Sequence, residues 1–284
     1  MAFGSIGGAA IALNSSVIAM AVRLGLVVAS SLGIRPATAA EIEDAICADR
    51  PGLATPTCSV PVGQVQVEIG MIDWVRDRSR GIRTDELAIG DTSVKVGVTD
   101  RLHFEVSGLP FIRSHTHDVT AKTAASGVGD VSVAAKYRLT EDSGALQVAL
   151  RPFVKLPTSK MPLGNGHVEG GLILPVEYAL KGSELAIVWS PEVDILPDEE
   201  GTGHHVATTQ VIGVAFPLSS RTSASVEFSG AWDWDRATTS REFVVGGSLA
   251  HLLSRDLQID AGVNLGLNRS APDLELYSGF AIRF

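Results

Sequence analysis

The chain has 284 residues, 45% of them hydrophobic and 19% charged, with 29 glycines and a net charge of −9. Its charged fraction is below the value of about 25% that is usual for soluble domains, which favours a membrane protein. The acidic balance and the lack of a Lys/Arg cluster argue against a nucleic-acid-binding protein.

Residues 1–40 are predicted to be an export signal peptide. Arg23 precedes the apolar run Leu24–Ile34, and Ala37-Thr-Ala39 supplies the small residues that a signal peptidase needs. Met20 would begin a signal of more ordinary length than Met1 does. An N-terminal membrane anchor is the alternative, and it remains open at this point.

Residues 41–63 are predicted to form a short periplasmic N-terminal extension. It contains Cys47 and Cys58, which are the only cysteines of the chain. In an exported protein two close cysteines are most simply a disulfide, and closing so short a loop contributes about 3 kcal/mol. A metal site fits less well, because these thiols have no histidine nearby in the sequence.

Residues 64–284 are predicted to form an all-β, transmembrane antiparallel β-barrel of about twelve strands. In 257–267, for example, apolar side chains at odd positions alternate with polar or small side chains at even positions, as in a strand with two different faces. The predicted strands are 64–75, 87–99, 101–111, 129–140, 144–156, 169–180, 184–196, 206–218, 222–235, 240–252, 256–268 and 273–284. Within 64–75, Trp74 has the inward parity, so the strand is expected to end or bulge before it.

The predicted connections alternate in length, with the longest at 76–86, 112–128, 157–168 and 197–205. Short periplasmic turns and longer external loops are typical of barrels in the Gram-negative outer membrane, and they put both termini in the periplasm. Trp232 and Trp234 would then lie near the outer interface, with Tyr178 and Phe284 near the periplasmic one. A soluble barrel or sandwich with its apolar face inside is the alternative.

The inward parities are predicted to line a pore with charge. The candidate pore-lining residues are Lys95, Glu105, Lys136, Arg138, Arg151, Lys155, Glu177, Glu192, Asp194, Glu227 and Asp260. The basic ones fall mainly on the second, fourth and fifth strands and most acidic ones on later strands, which predicts a positive wall facing a negative one. The alternative is that neighbours neutralise each other, for example Arg151 with Glu177, and close the lumen.

Twelve strands lie between the filled eight-stranded barrels and the open porins, so a narrow pore is expected. The residues proposed to constrict it are the loop 112–128 or the N-terminal extension. The expected partners are outer-membrane lipid and small-molecule solutes, and no cofactor is predicted. A plugged, purely structural barrel is another alternative.

No catalytic residue or metal site is assigned from the sequence. Two histidine-bearing loops, with His115 and His117 in one and His204 and His205 in the other, are the candidates for metal ligands, because imidazole suits divalent ions. A barrel hydrolase or loop metal-binding protein is therefore the alternative to a channel.

Several short motifs resemble one protein family. They are Asp49-Arg-Pro-Gly52, Gly127-Val-Gly-Asp-Val131, Lys136-Tyr-Arg138 and Phe153-Val-Lys-Leu-Pro-Thr158, together with the strand entry from Cys58 to Glu68. The chain thus resembles the proteobacterial outer-membrane transporter-like proteins grouped under the meta-pathway of phenol degradation. The resemblance implies a β-barrel that passes small, hydrophobic or aromatic compounds. The predicted function is an outer-membrane channel with a narrow charged lumen.

Overall fold

In the computed structural model, the strands between Val65 and Arg283 form a closed antiparallel β-barrel. The structure describes residues 45–79, 81–118, 121–141, 144–160, 163–164, 166–198 and 203–284. The predicted signal peptide 1–40 and the start of the predicted extension lie outside the described residues. Within the described ranges, no helix is long and apolar enough to cross a membrane.

The strand segments follow one another around the wall in chain order. They are β1 (Val65–Ser79), β2 (Ile82–Ile89), β3 (Asp91–Thr99), β4 (Leu102–Gly108), β5 (Phe111–His117), β6 (Lys122–Gly127), β7 (Val131–Arg138), β8 (Leu146–Leu156), β9 (Glu169–Ile173), β10 (Val176–Ala179), β11 (Ala186–Pro197), β12 (His204–Ser219), β13 (Thr222–Asp233), β14 (Ser240–Ser254), β15 (Leu257–Gly266) and β16 (Leu274–Arg283).

Four wall strands are each built from two segments in line, namely β2 with β3, β4 with β5, β6 with β7 and β9 with β10. The sixteen segments therefore form twelve wall strands, and the predicted fold class is confirmed. Pro110 and Pro175 lie at two of the interruptions, where proline has no N–H to give to the ladder. Gly90, with a φ of +78°, lies at a third.

The barrel closes between its first and last strands. β1 pairs with β16 in antiparallel register from Gln66↔Arg283 to Arg76↔Leu274. Beyond the last ladder pair, the Val65 N–H donates to the Phe284 carbonyl at 3.2 Å, and the Phe284 N–H donates to the Val65 carbonyl at 2.8 Å. The first and the last residue of the wall therefore lie at the same end of the barrel, as an even number of strands requires.

The two faces of the wall differ as the alternation predicted. On β14, Leu249 is 51% exposed on the outer face, whereas the neighbouring Ser248 is 8% exposed on the inner face. The outward side chains are mostly Val, Leu, Ile and aromatic residues, and the buried inward ones are mostly charged or polar. This is the side-chain arrangement of barrels that span a bilayer, and it is the reverse of a soluble barrel.

A bulge in β1 explains the parity of Trp74. The register with β16 shifts between Gly70 and Ile72, and both Met71 and Ile72 are exposed. The shift turns Asp73 toward the lumen, where it lines a cavity. Trp74 consequently lies on the outer face, with the Arg76 guanidinium 4.6 Å from its ring centroid.

The prediction of loops at 76–86 and 112–128 was wrong. β1 continues to Ser79 and pairs with β2, and β2 pairs with β5, which pairs with β6. These segments project from the end of the barrel that lies away from Val65, and they carry polar side chains on both faces. Without a lipid-facing stripe they show no alternation of hydrophobicity, although their backbones pair as strands.

Candidate functional site

The N-terminal segment lies against the inner wall of the barrel. We call residues 45–62 the lumen segment, and its Cys47–Cys58 disulfide closes a loop with a sequence separation of 11 residues. The Ile46 N–H donates to the Arg255 carbonyl at 2.8 Å near one end, and the Val60 N–H donates to His103 Nδ1 at 3.1 Å near the other. The segment thus crosses from the β14–β15 turn to β4.

Glycines on the inner wall make room for this segment. A Cβ atom on Gly97 of β3 would meet the Pro61 carbonyl oxygen, and one on Gly279 of β16 would lie 2.6 Å from Arg50 Nε. A residue with a side chain would therefore displace the backbone of the segment at Gly97, and at Gly279 it would displace the Arg50 side chain and meet the Ile69 carbonyl oxygen of β1. The space beside Gly279 is filled by the segment rather than left open as pore.

On the basic side of the wall, the lumen segment supplies a carboxylate. Asp49 Oδ2 lies 2.8 Å from Lys95 Nζ, and Asp49 Oδ1 lies 2.5 Å from Lys136 Nζ. Both lysine side chains are only 1% exposed, and Lys95 also pairs with Glu68. Burial raises the pKa of the Asp49 carboxyl, but the Lys136 and Lys95 ammonium groups outweigh burial and hold that pKa well below its usual range.

On the acidic side, the segment supplies a guanidinium and backbone N–H groups. Arg50 Nη2 lies 3.2 Å from Asp260 Oδ1. The Glu227 carboxylate accepts hydrogen bonds from the N–H groups of Leu53 at 2.6 Å and Ala54 at 3.4 Å. Because buried polar groups must be hydrogen-bonded, these contacts fix the segment across the lumen.

The remaining predicted pore residues form local pairs along the wall. Arg151 Nη2 lies 3.0 Å from Glu105 Oε2, and Lys155 pairs with Glu169. Arg138 donates to the Asp100 carbonyl at 3.0 Å. The pairing partner of Arg151 is therefore Glu105, two wall strands away, and not Glu177.

Glu177, Glu192 and Asp194 lie on the inner face of the following wall strands. Glu177 is close to Thr57 of the lumen segment, and Glu192 and Asp194 interact with each other. Asp49 of the lumen segment therefore lies beside the lysines of the predicted basic wall, and Arg50 lies beside Asp260 of the predicted acidic one. The lumen segment reduces the transverse field that the wall alone would create.

Polar cavities lie beside the lumen segment, and two of them are lined by described residues. The first, of about 220 Å³, is lined by Asp49, Arg50, Thr55, Glu68, Asp91, Ser93, Glu105, Ser107 and Arg151. The second, of about 150 Å³, is lined by Asp49, Arg50, Pro51, Gly52, Leu53, Asp73, Asn264, Glu275 and Tyr277. Both have room for small molecules only, and both present ionic or hydrogen-bonding groups.

The four histidines named from the sequence occupy different surroundings. His115 and His117 lie on β5 with their ring centroids 6.5 Å apart. On β12, His204 is exposed on the outer face, whereas His205 faces inward and lies close to three aspartates. Sequence proximity had grouped His204 with His205, but strand alternation separates them.

Ser248 and His251 lie on the same strand, β14, but they do not form a serine–histidine pair. The Ser248 hydroxyl is hydrogen-bonded to the Ser225 hydroxyl at 2.7 Å. The ring of His251 is hydrogen-bonded to the Thr222 hydroxyl at 2.9 Å. Neither residue therefore activates the other, although a nucleophile and its base must be within hydrogen-bond reach.

Comparison with known proteins identifies related sequences and folds. The family model described as "Putative MetA-pathway of phenol degradation" matches residues 48–284, a range that includes most of the lumen segment. A search of curated protein sequences gave no match.

Among solved structures, the COG4313 outer membrane channel from Pseudomonas putida F1 has 15% sequence identity and a TM-score of 0.66, over 82% of this chain and 99% of that one. The translocator domain of the autotransporter NalP from Neisseria meningitidis has 11% identity and a TM-score of 0.50, over 95% of this chain and 97% of that one. The β domain of the Bordetella autotransporter BrkA has 11% identity and a TM-score of 0.50, over 78% of this chain and 100% of that one. At these identities the likeness concerns the barrel fold.

Proposed function

The chain belongs to the MetA-pathway family of phenol degradation, and from this premise we propose that it is an outer-membrane channel for small molecules. The observation that carries the proposal is the wall itself, which is apolar outside and ionic inside, with polar cavities left in the lumen. Hydrocarbon suits the outer face, and a hydrated passage suits the inner one.

The two ends of the barrel support one orientation in a Gram-negative outer membrane. At the end that carries Val65 and Phe284, two-residue turns join β3 to β4, β12 to β13 and β14 to β15. At the other end, the hairpins β1–β2 and β5–β6 project from the wall. Short turns face the periplasm in such barrels, so we assign both termini to the periplasmic side.

The chemistry of the cavities supports solutes that are small and carry a polar group. Arg50 and Arg151 line the larger cavity together with carboxylates such as Glu68 and Glu105. A pure hydrocarbon would remove water from these groups without replacing its hydrogen bonds. A phenolic hydroxyl or an aromatic carboxylate would replace some of them, which agrees with the phenol-degradation description of the family.

Single-channel recording in planar bilayers tests this function. The purified mature chain should give small, ion-selective conductance steps. Arg151→Glu should shift the reversal potential in a salt gradient toward cation selectivity, because Arg151 lines the larger cavity. The matched control is Lys181→Glu, which reverses a charge on the exposed β10–β11 turn and should leave the reversal potential nearly unchanged.

Two results would contradict the proposal. The absence of any conductance step from folded protein would favour a plugged structural barrel. Hydrolysis of phospholipid vesicles by the same preparation would favour a barrel hydrolase. Uptake of 4-hydroxybenzoate into proteoliposomes, with exclusion of a trisaccharide, would support both the channel and its narrow lumen.

A further inference from the structure

Three neighbouring wall strands bring one histidine and three aspartates together at the end of the barrel away from Val65. Asp198 follows β11, His205 lies at the start of β12, and Asp233 and Asp235 lie at the end of β13. His205 Nδ1 is 3.1 Å from Asp198 Oδ1 and 3.4 Å from Asp235 Oδ2. On the opposite edge of the ring, His205 Nε2 is 3.0 Å from Asp233 Oδ1.

The imidazole of His205 is enclosed by this arrangement. Its side chain is only 8% exposed, and its Nε2 atom is buried without an aligned hydrogen-bond partner, although Asp233 is near. A neutral imidazole has one N–H, so it cannot donate to the carboxylates on both edges of the ring. Two carboxylate oxygens also lie close to Nδ1, but a single proton on this atom can form a well-aligned hydrogen bond with only one of them.

A cation coordinated at Nδ1 resolves this geometry. The Nδ1 atom, one Asp198 oxygen and one Asp235 oxygen all lie within 4.8 Å of one another, which is the spacing of ligands around one ion. The remaining ring proton would then sit on Nε2, on the edge of the ring where Asp233 Oδ1 lies 3.0 Å away. A metal-bound histidine commonly donates its other N–H to a carboxylate in this way, which fixes the ring and its tautomer.

Backbone contacts hold the two carboxylates in place. The Ala237 N–H donates to Asp235 Oδ1 at 2.6 Å, which leaves Oδ2 directed toward His205. The Asp198 N–H donates to the Gly203 carbonyl at 3.0 Å, which joins the end of β11 to the start of β12 beside His205. Backbone hydrogen bonds at the strand ends therefore hold Asp198 and Asp235 in position beside His205.

We propose that Asp198, His205 and Asp235 bind one divalent transition-metal ion at the mouth of the barrel, with Asp233 orienting the histidine. One imidazole nitrogen with two carboxylate oxygens suits Zn²⁺ and its first-row neighbours. Ca²⁺ would need six to eight oxygen ligands, and Mg²⁺ disfavours imidazole. The ion would tie the end of β11 and the start of β12 to the end of β13, so that it stabilises the rim beside the pore entrance.

Isothermal titration of the full mature protein with Zn²⁺ tests this site. The protein is folded into detergent without lipopolysaccharide, because lipid phosphates also bind divalent ions. We expect one high-affinity site that is lost in His205→Gln, and a site weakened by about 10- to 100-fold in Asp233→Asn. His204→Gln is the matched control, since it removes the adjacent but outward-facing histidine and should leave the affinity unchanged.

The heat-dependent shift in electrophoretic mobility verifies that each variant is folded. If His205→Gln does not fold, Asp198→Asn removes a ligand outside the strands and should abolish binding in its place. Equal loss of affinity in His204→Gln and His205→Gln would assign the binding to surface histidines and overturn the proposal. Unchanged affinity in His205→Gln, or no Zn²⁺ binding by the folded wild type, would also overturn it.

Discussion

Replacing Asp49 with asparagine should release the lumen segment from the basic wall. The asparagine side chain has nearly the size of aspartate but removes the charge that binds Lys95 at 2.8 Å and Lys136 at 2.5 Å. Lys95 keeps its pairing with Glu68, whereas Lys136 is left with the Pro56 carbonyl at 3.1 Å. The substitution therefore leaves a buried ammonium group without its counter-ion.

The expected magnitude follows from the burial of these groups. Removing one member of a buried ion pair costs about 3–5 kcal/mol. The Asp49 side chain keeps 21% exposure to the lumen, so we take the lower end of that range. A loss of about 3 kcal/mol changes an equilibrium constant by more than about a hundredfold. The fraction of time that the segment spends away from the wall should rise by that factor.

Single-channel recording measures this fraction as the frequency of steps larger than the main conductance level. The matched control is Glu141→Gln, which removes an exposed ion pair with Arg101 that does not touch the lumen segment. Such surface pairs contribute about 0–1 kcal/mol, so the control should record like wild type. Identical records for Asp49→Asn and Glu141→Gln would refute the idea that Asp49 holds the segment in the ion path.

Three further outcomes are expected. Reduction of the Cys47–Cys58 disulfide should increase conductance fluctuations while the barrel stays folded, because the disulfide contributes about 3 kcal/mol to the ordering of its loop. Unchanged recordings after reduction would count against this role of the disulfide. Because the pKa of Asp49 is lowered, its stabilising contribution is complete above the ordinary carboxyl pKa of about 4 and is lost only as the pH falls through the lowered pKa. The conductance difference between wild type and Asp49→Asn should therefore be constant from neutral pH down to mild acid and disappear in strong acid; a difference that already disappears in mild acid would be inconsistent with this pairing. Leu249→Arg should destabilise the barrel in vesicles by about 2–4 kcal/mol in urea titrations, whereas Ile82→Arg, at a similarly exposed apolar position on a projecting hairpin, should cost much less. Equal costs would mean that Leu249 does not face hydrocarbon.

The wall of the barrel could be predicted from the sequence because its determinant is local. Alternation along each strand assigns a face to every residue, and a lipid exterior forces that alternation to persist strand after strand. Even Trp74, which broke the parity, indicated a bulge, and the register shift lies between Gly70 and Ile72.

The projecting strands could not be predicted in the same way. Residues 113–117 carry arginine, histidine, serine and threonine on both faces, so they lack the apolar stripe that contact with lipid would require. Their pairing depends on hydrogen bonds with β2 and β6, which leave no hydrophobic period in the sequence.

The docking of the lumen segment depends on contacts between distant parts of the chain. Arg50 and Asp260 are 210 residues apart, and Asp49 and Lys136 are 87 residues apart. The segment has no periodic pattern, so its sequence indicated a disulfide but not its partners on the wall. The inward position of Lys95, Lys136 and Asp260 could be predicted, but the counter-charges at Asp49 and Arg50 could not.

The most direct test of a passage narrowed by its own N-terminal segment is the single-channel conductance of the mature protein with and without residues 41–62. We expect the shortened barrel, verified as folded by its electrophoretic mobility, to give clearly larger steps than the intact chain under the same salt. Equal conductance of the two proteins would contradict a segment that lies in the path of the ions.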